Sequence, residues 1–297
     1  NSDDSNNDGF AGKLKISQSI IKKDSLWNLR AFADVDYIQK NFKTIERLYG
    51  AEFSRDWNIE NPLGDQQLFS AGLLLTHPEK GLASYQFENL AYSENFTGNK
   101  HVANINMLLN KFNFVSYSSF LSASSDMNTS IFLRSYNRIT YSMQKKWIGT
   151  KLATENNEQK NITTSELTPL SQKFKSYDIF LGVGDSTNIF TEIGYKNRVN
   201  DSIRNNQLQK VNTSNTFYLD SKLIQNNNTN LSVYVNYRTL NNEDKTLNND
   251  QSLNSRLQYN QKFYKQIILW NTVFETNSGT LPQQNFTYVE VEPGQGT

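Results

Sequence analysis

The stretch Trp27-Asn28-Leu29-Arg30-Ala31-Phe32-Ala33-Asp34-Val35-Asp36-Tyr37 alternates in polarity, with Trp27, Leu29, Ala31, Ala33, Val35 and Tyr37 on one parity and Asn28, Arg30, Asp34 and Asp36 on the other. Successive side chains of a strand point to opposite faces, so this segment reads as a strand with one apolar and one wet face. Aromatic residues close both ends of the apolar face. Trp27 and Tyr37 lie ten residues apart, which at about 3.3 Å per residue and a tilt of roughly 40° spans about 25 Å, the height of the lipid-facing band of an outer-membrane barrel.

The same habit recurs along the chain. Lys13 to Ile20 places Leu14, Ile16 and Ile20 in phase, and Gln67 to Thr76 precedes a break at His77-Pro78-Glu79-Lys80-Gly81, after which Ala83, Tyr85 and Phe87 resume the alternation. His101 to Asn110 carries Ala103, Ile105, Met107 and Leu109 on one face. Phe112 to Leu121, Thr129 to Met143 and Lys146 to Thr154 follow, the second with Arg134 and Arg138 on its polar side. Lys173 to Val183 and Asn188 to Asn197 flank Gly184-Asp185-Ser186-Thr187, which reads as a tight hairpin. Leu208 to Lys222, Leu231 to Leu240, Leu253 to Tyr259 and Phe263 to Phe274 complete the series. The pattern predicts roughly twelve to fourteen antiparallel strands in an up-and-down meander. Tyr195 and Tyr237 end apolar faces as Tyr37 does, so Trp27, Tyr37, Tyr195 and Tyr237 are candidates for an aromatic girdle.

One stretch departs from this period. Phe42, Ile45, Leu48, Tyr49 and Phe53 recur at helical spacing, which predicts a short helix or compact loop near residues 41–50. Short and long connections partly alternate, with tight turns at Asn110-Lys111 and Gly184-Asp185 and long polar loops at Glu155 to Thr168 and Asn241 to Gln251. A bacterial barrel has short turns at one end and longer loops at the other, although a sandwich produces similar spacing.

Composition excludes several classes. Lys and Arg number 30 against 29 Asp and Glu in 297 residues, so there is no basic excess for a nucleic-acid surface. A hydrophobic share of 36% with a mean hydropathy of -0.66 is low for a thick core and suits a sheet apolar on one face only. Without cysteine, neither a disulfide framework nor a thiolate metal site can form. His77 and His101 read as surface histidines in polar or Pro-containing turns, with no partner at ligand spacing. The apolar runs, such as Ala71 to Leu75, are too short for a transmembrane helix, so only a barrel could span a membrane.

Candidate chemical motifs fall short. Leu181-Gly182-Val183-Gly184-Asp185-Ser186-Thr187 lacks the third glycine of a nucleotide loop and opens no helix, and Ser186 is in no nucleophile elbow. Asp4, Asn6, Asp8 and Gly9 match half of a calcium loop whose twelfth position is Lys15 rather than glutamate. The dense charged and aromatic run Glu52-Phe53-Ser54-Arg55-Asp56-Trp57 reads as a knot in which Arg55 satisfies Glu52 or Asp56 while Phe53 and Trp57 pack, ahead of a lid or docking element on a loop. No catalytic, cofactor or metal residue is assigned. If the strands close into a barrel, Arg30, Asp34, Asp36, Arg134 and Arg138 face the lumen, where such charges tune what passes.

Ile45-Glu46-Arg47, Glu52-Phe53-x-Arg55-Asp56-Trp57-Asn58, the hairpin Gly182 to Thr187 and the terminal Phe286 to Thr297 together resemble the barrel regions of large outer-membrane proteins of Bacteroidota-type bacteria. That resemblance implies that the chain is part of a longer one, and it carries no catalytic residues. The expectation is therefore an all-β protein: a polar tail over residues 1–10, then a single antiparallel domain over 11–297 forming a transmembrane-type β-barrel or a section of one. The expected role is structural, channel, transport or secretion-related, with no catalysis, in a Gram-negative outer membrane. Its partners would be the lipid bilayer and other outer-membrane or surface lipoproteins, not nucleic acid. The rival expectation is a soluble, secreted or surface-attached β protein that binds glycans or partner proteins. The two differ in what meets the apolar parity: lipid in the first, a second sheet in the other.

Overall fold

Alternation of this kind resolves into one sheet. The computed structural model describes residues 9–20, 26–43, 49–50, 52–59, 61–185, 189–265 and 267–279. Its strands are β1 (Ala11–Ser19), β2 (Asn28–Ile38), β3 (Gln66–His77), β4 (Gly81–Tyr92), β5 (Phe96–Leu109), β6 (Phe112–Ser125), β7 (Asn128–Met143), β8 (Lys146–Asn161), β9 (Gln172–Gly184), β10 (Phe190–Arg204), β11 (Gln207–Gln225), β12 (Thr229–Asn242), β13 (Asp250–Phe263) and β14 (Ile268–Gly279). All fourteen form a single sheet in sequence order, and the pairs for which a register is resolved are antiparallel. Among the described residues β1 pairs only with β2 and β14 only with β13, so the sheet is an open antiparallel meander with two unpaired edges.

The connections sort by end. One end carries the hairpins at 110–111 and 144–145 and the short links at 78–80, 185–189, 226–228 and 264–267. The other carries the longest connections, 39–65, 162–171 and 243–249, interspersed with short ones. The expected tight turns and long loops fall on opposite ends accordingly. Asn205 and Asn206 both adopt positive φ, 52° and 58°, the geometry a type I′ hairpin demands. At Gly184 (φ 115°) the backbone turns and the Asp185 N–H donates to Ile189 O at 2.6 Å. Ser186 and Thr187 lie outside the described residues.

Three expectations are corrected. The loop placed at Glu155 to Thr168 begins later, because β8 runs on to Asn161. Glu155, Asn156, Asn157, Glu158 and Gln159 are polar on both faces, which hides the period of 2, but they pair in register with β7 throughout. The helical turn is α1 (Phe53–Asp56), beyond 41–50, while Ile45 and Leu48 lie outside the described residues. Packing selects that turn: Tyr49 stacks on Phe53 at 4.2 Å, and Trp57, one turn on, is only 1% exposed. Neither histidine lies in a turn, and of the two only His101 is exposed. His77 ends β3, is buried, and accepts the Glu79 and Lys80 N–H groups at Nδ1, both at 3.1 Å. His101 lies inside β5 among Tyr85, Phe87 and Phe120.

The two faces differ in chemistry and curvature. Cross-strand register places Leu14, Val35, Phe69, Phe87, His101, Phe120, Leu133, Leu152, Tyr177, Val199 and their in-phase neighbours on one face. On β1 to β7 this parity holds no Asp, Glu, Lys or Arg. Its large side chains are exposed, for example Ile179 at 61% and Leu181 at 49%, whereas Asp178 and Phe180 on the opposite face are buried. Burial is thus inverted relative to a soluble sheet. The charged face is the concave one, since Arg138 on β7 reaches Glu192 on β10 at 3.3 Å. Three strand spacings amount to roughly 14 Å along a flat sheet, beyond the combined reach of the two side chains.

Glycines line the concave face, each beneath an aromatic ring from a neighbouring strand. A Cβ on Gly182 would stand 1.9 Å from Trp147, one on Gly194 2.3 Å from the Tyr218 ring, one on Gly149 2.3 Å from Phe180, and one on Gly72 2.6 Å from Phe32. In each pair the two residues face one another in register. Removing side-chain bulk from the inner face lets the ring lie flat and the sheet bend inward.

Candidate functional site

The concave face gathers most of the strand charges. Next to the first edge, Lys13 pairs with Asp36 at 3.1 Å and Lys15 lies 3.8 Å from Asp34, following the β1–β2 register. Lys100 bonds Glu88 at 2.6 Å between β5 and β4. Arg134 on β7 bridges Glu155 at 3.1 Å and Asp56 of α1 at 3.3 Å. Lys151 on β8 lies 3.4 Å from Glu192 and 3.7 Å from Asp178, both buried carboxylates. Trp147 Nε1 also donates to Glu192, at 3.0 Å, and the Tyr218 hydroxyl donates to Asp178 at 3.0 Å. These acids are held by charge-assisted bonds to side chains of neighbouring strands.

Within the connection 39–65, residues 52–59 fold inward over this face at the long-connection end. Trp57 packs with Leu90, Phe96, Leu121, Ala123 and Phe132, the apolar core of the molecule. The Lys100 ammonium stands 4.3 Å from the Trp57 ring centre, a cation–π contact. Asn58 Nδ2 donates to Asn157 Oδ1 on β8 at 2.8 Å, and Arg55 pairs with Glu52 at 2.8 Å within the turn. At the root of the connection the Asp65 carboxylate accepts the Tyr37 hydroxyl at 2.8 Å and the Lys40 N–H at 3.0 Å. Those bonds hold its pKa below the usual carboxylate range, the Lys40 backbone bond most of all. Burial, with a contribution from Asp36, pushes the Tyr49 hydroxyl up to about 12.

Three hollows lie along the concave face beyond this turn. One of about 320 Å³ lies beside the turn, between Arg55, Asn58, Arg134 and Glu155. The next, about 500 Å³, lies over the middle of β6 to β10 and touches Tyr136, Arg138, Lys151, Phe174, Lys196 and Arg198. A third of about 410 Å³ reaches Trp147, Asp185 and Phe190 at the short-turn end. Water, ions and small polar solutes fit such a surface. Among the described residues no group of three His, Asp or Glu side chains could hold a metal ion.

The five charges singled out by parity, Arg30, Asp34, Asp36, Arg134 and Arg138, all lie on the concave face. They do not form one cluster: the first three belong to β2, the last two to β7. Of the aromatic candidates, Trp27 precedes β2 and meets the His77 ring edge-on at 4.7 Å, while Tyr37 lies at the far end of β2. Tyr195 and Tyr237 lie within β10 and β12. They join through Phe217 in one cross-strand row, Tyr195 to Phe217 to Tyr237, on the apolar face. Asp178, Glu192, Lys151, Lys196 and Arg198 escaped the sequence reading because their association depends on register across β7 to β10.

No protein-family model and no curated protein matches the chain. The functional reading therefore stands on the geometry of the two faces.

Proposed function

We propose that the chain is the wall of a β-barrel in the outer membrane of a Gram-negative bacterium, with its apolar face against lipid and its charged face around a watery interior. Its role is that of a channel, transport or secretion-related component, without catalysis. The observation that supports this reading is the inversion of burial: a long exposed face free of charge on β1 to β7, backed by a concave face carrying paired acids and bases. Water would favour the reverse, while hydrocarbon penalises a charge near the midplane by about 2–4 kcal/mol. Uncharged polar groups on the apolar face also satisfy one another, Ser116 with Asn137 at 2.6 Å and Ser118 with Ser135 at 2.9 Å, as a medium without water requires. The sorting of connections into a short-turn and a long-connection end agrees with this orientation.

Cell fractionation followed by detergent extraction, with boiled and unboiled samples run side by side on a gel, tests the proposal. The expected result is a membrane fraction that requires detergent and a band whose mobility changes on boiling. Release without detergent and a mobility indifferent to heat would replace it with a soluble or surface-attached β protein.

A further inference from the structure

The central hollow is not charge-balanced. Arg134 is matched by Asp56 and Glu155, and Arg138 and Lys151 by Glu192 and Asp178. Lys196 faces Asp178 in register, but among the described residues Asp178 is engaged by Lys151 and Tyr218, and no carboxylate lies within ion-pair distance of Lys196. Arg198, two residues along on the same face, has no acidic partner among the described residues either. Its Nε donates to Asn200 at 2.7 Å, and its guanidinium lies over Phe174 at 3.9 Å. Both cations are half-buried, so each has lost part of its hydration without gaining a counter-charge. Arg238, two strands along the row from Lys196 through Thr216, is another concave-face cation without an acidic partner among the described residues.

Lys196 and Arg198 project side by side, about 7 Å apart along β10, a separation that one tetrahedral or planar anion can bridge. The ring of Phe174 and the phenol of Tyr136 line the same hollow. We propose that this hollow is a binding site for a small organic anion, its phosphate, sulfate or carboxylate group held between Lys196 and Arg198 and its apolar body against Phe174 and Tyr136. This rests on the reading of the concave face as a lumen, where low-dielectric walls focus the field of the unpaired cations on passing solutes. It names the class of solute the interior favours, which the mixed signs along the chain leave open.

Titration calorimetry of the purified, folded chain with inorganic phosphate and with phenyl phosphate tests it. Both should bind, phenyl phosphate the more tightly, and affinity should fall as salt is raised. The double variant K196Q/R198Q should bind about tenfold more weakly or worse, while K13Q, which removes a paired cation elsewhere on the same face, should bind as the parent does. Absence of binding by the parent, or equal binding by K196Q/R198Q, overturns the proposal. The heat-dependent gel shift, run on the same preparations, separates this failure from failure of the barrel reading. Should the protein prove soluble, the titration is made without detergent and decides the site on its own.

Discussion

At the scale of single residues, the pairing of a glycine with a ring is the device that sets the curvature. Gly182 and Gly194 sit in the bend beneath Trp147 and Tyr218, whose polar tips then reach Glu192 and Asp178. Each missing side chain thus bears on both the shape of the sheet and the position of one carboxylate. Gly194→Val should displace Tyr218, cost about 1–3 kcal/mol as overpacking does, and lower the urea midpoint of the detergent-folded protein. A variant as stable as the parent would show that the ring does not rest on the glycine. Trp57 supplies the complementary case. It is the largest fully buried side chain, and Trp57→Ala should cost about 3–5 kcal/mol if the inward connection is an integral part of the core. A loss below about 1 kcal/mol would mean that the connection merely lies on the sheet.

At the scale of elements, Asp65 anchors the inward connection through the Lys40 N–H and the Tyr37 hydroxyl. Its pKa is lowered in the folded chain, so the stability it lends is fully present above the ordinary carboxylate value, about 3.9. That contribution is lost as pH falls through the depressed value. Protection of the Lys40 amide against hydrogen exchange should therefore hold near pH 5 and decline only well into the acid range. In Asp65→Asn it should be weak at both ends and independent of pH. A parent amide equally protected throughout would remove Asp65 from the role. Elements also show what the sequence could and could not reveal. Strand centres such as Leu29 to Val35 and Ala103 to Leu109 were legible because one face must be apolar whatever covers it. The stretch Glu155 to Gln159 was not, since a strand polar on both faces carries no periodic mark and is held by ladder bonds alone. His101, expected in a polar turn, instead pairs straight through with β4 and β6. Parity puts the five charges on one face, but ion partners such as Arg138 with Glu192 lie far apart in sequence and emerge only from curvature.

At the scale of the whole molecule, the exposed apolar face makes the sharpest prediction. Leu181→Lys places a charge midway between Ile179 and Val183 on that face. In a bilayer it should cost up to about 2–4 kcal/mol, seen as loss of the heat-modifiable folded band, whereas Thr216→Lys on the concave face should be tolerated. Equal tolerance of both would mean that the apolar face is not bathed in lipid. The free edges bear on the same question. Unpaired N–H and C=O groups along β1 and β14 would each cost several kcal/mol in hydrocarbon, so the proposed barrel needs those edges paired, to each other or to further strands.

Every strand touches its neighbours in the sheet and little else. Such a ribbon resembles a linear array, in which stability is passed from one unit to the next and can fail piecemeal. The inward turn breaks that linearity: Asn58 meets Asn157 across a sequence separation of 99, and Asp56 meets Arg134 across 78. Docking of one short segment from the first part of the chain thus gives β7 and β8 a stake in β2 and β3. With those tethers cut, the staves should melt in succession over a broad range; with them intact, the wall should yield in a single sharp step.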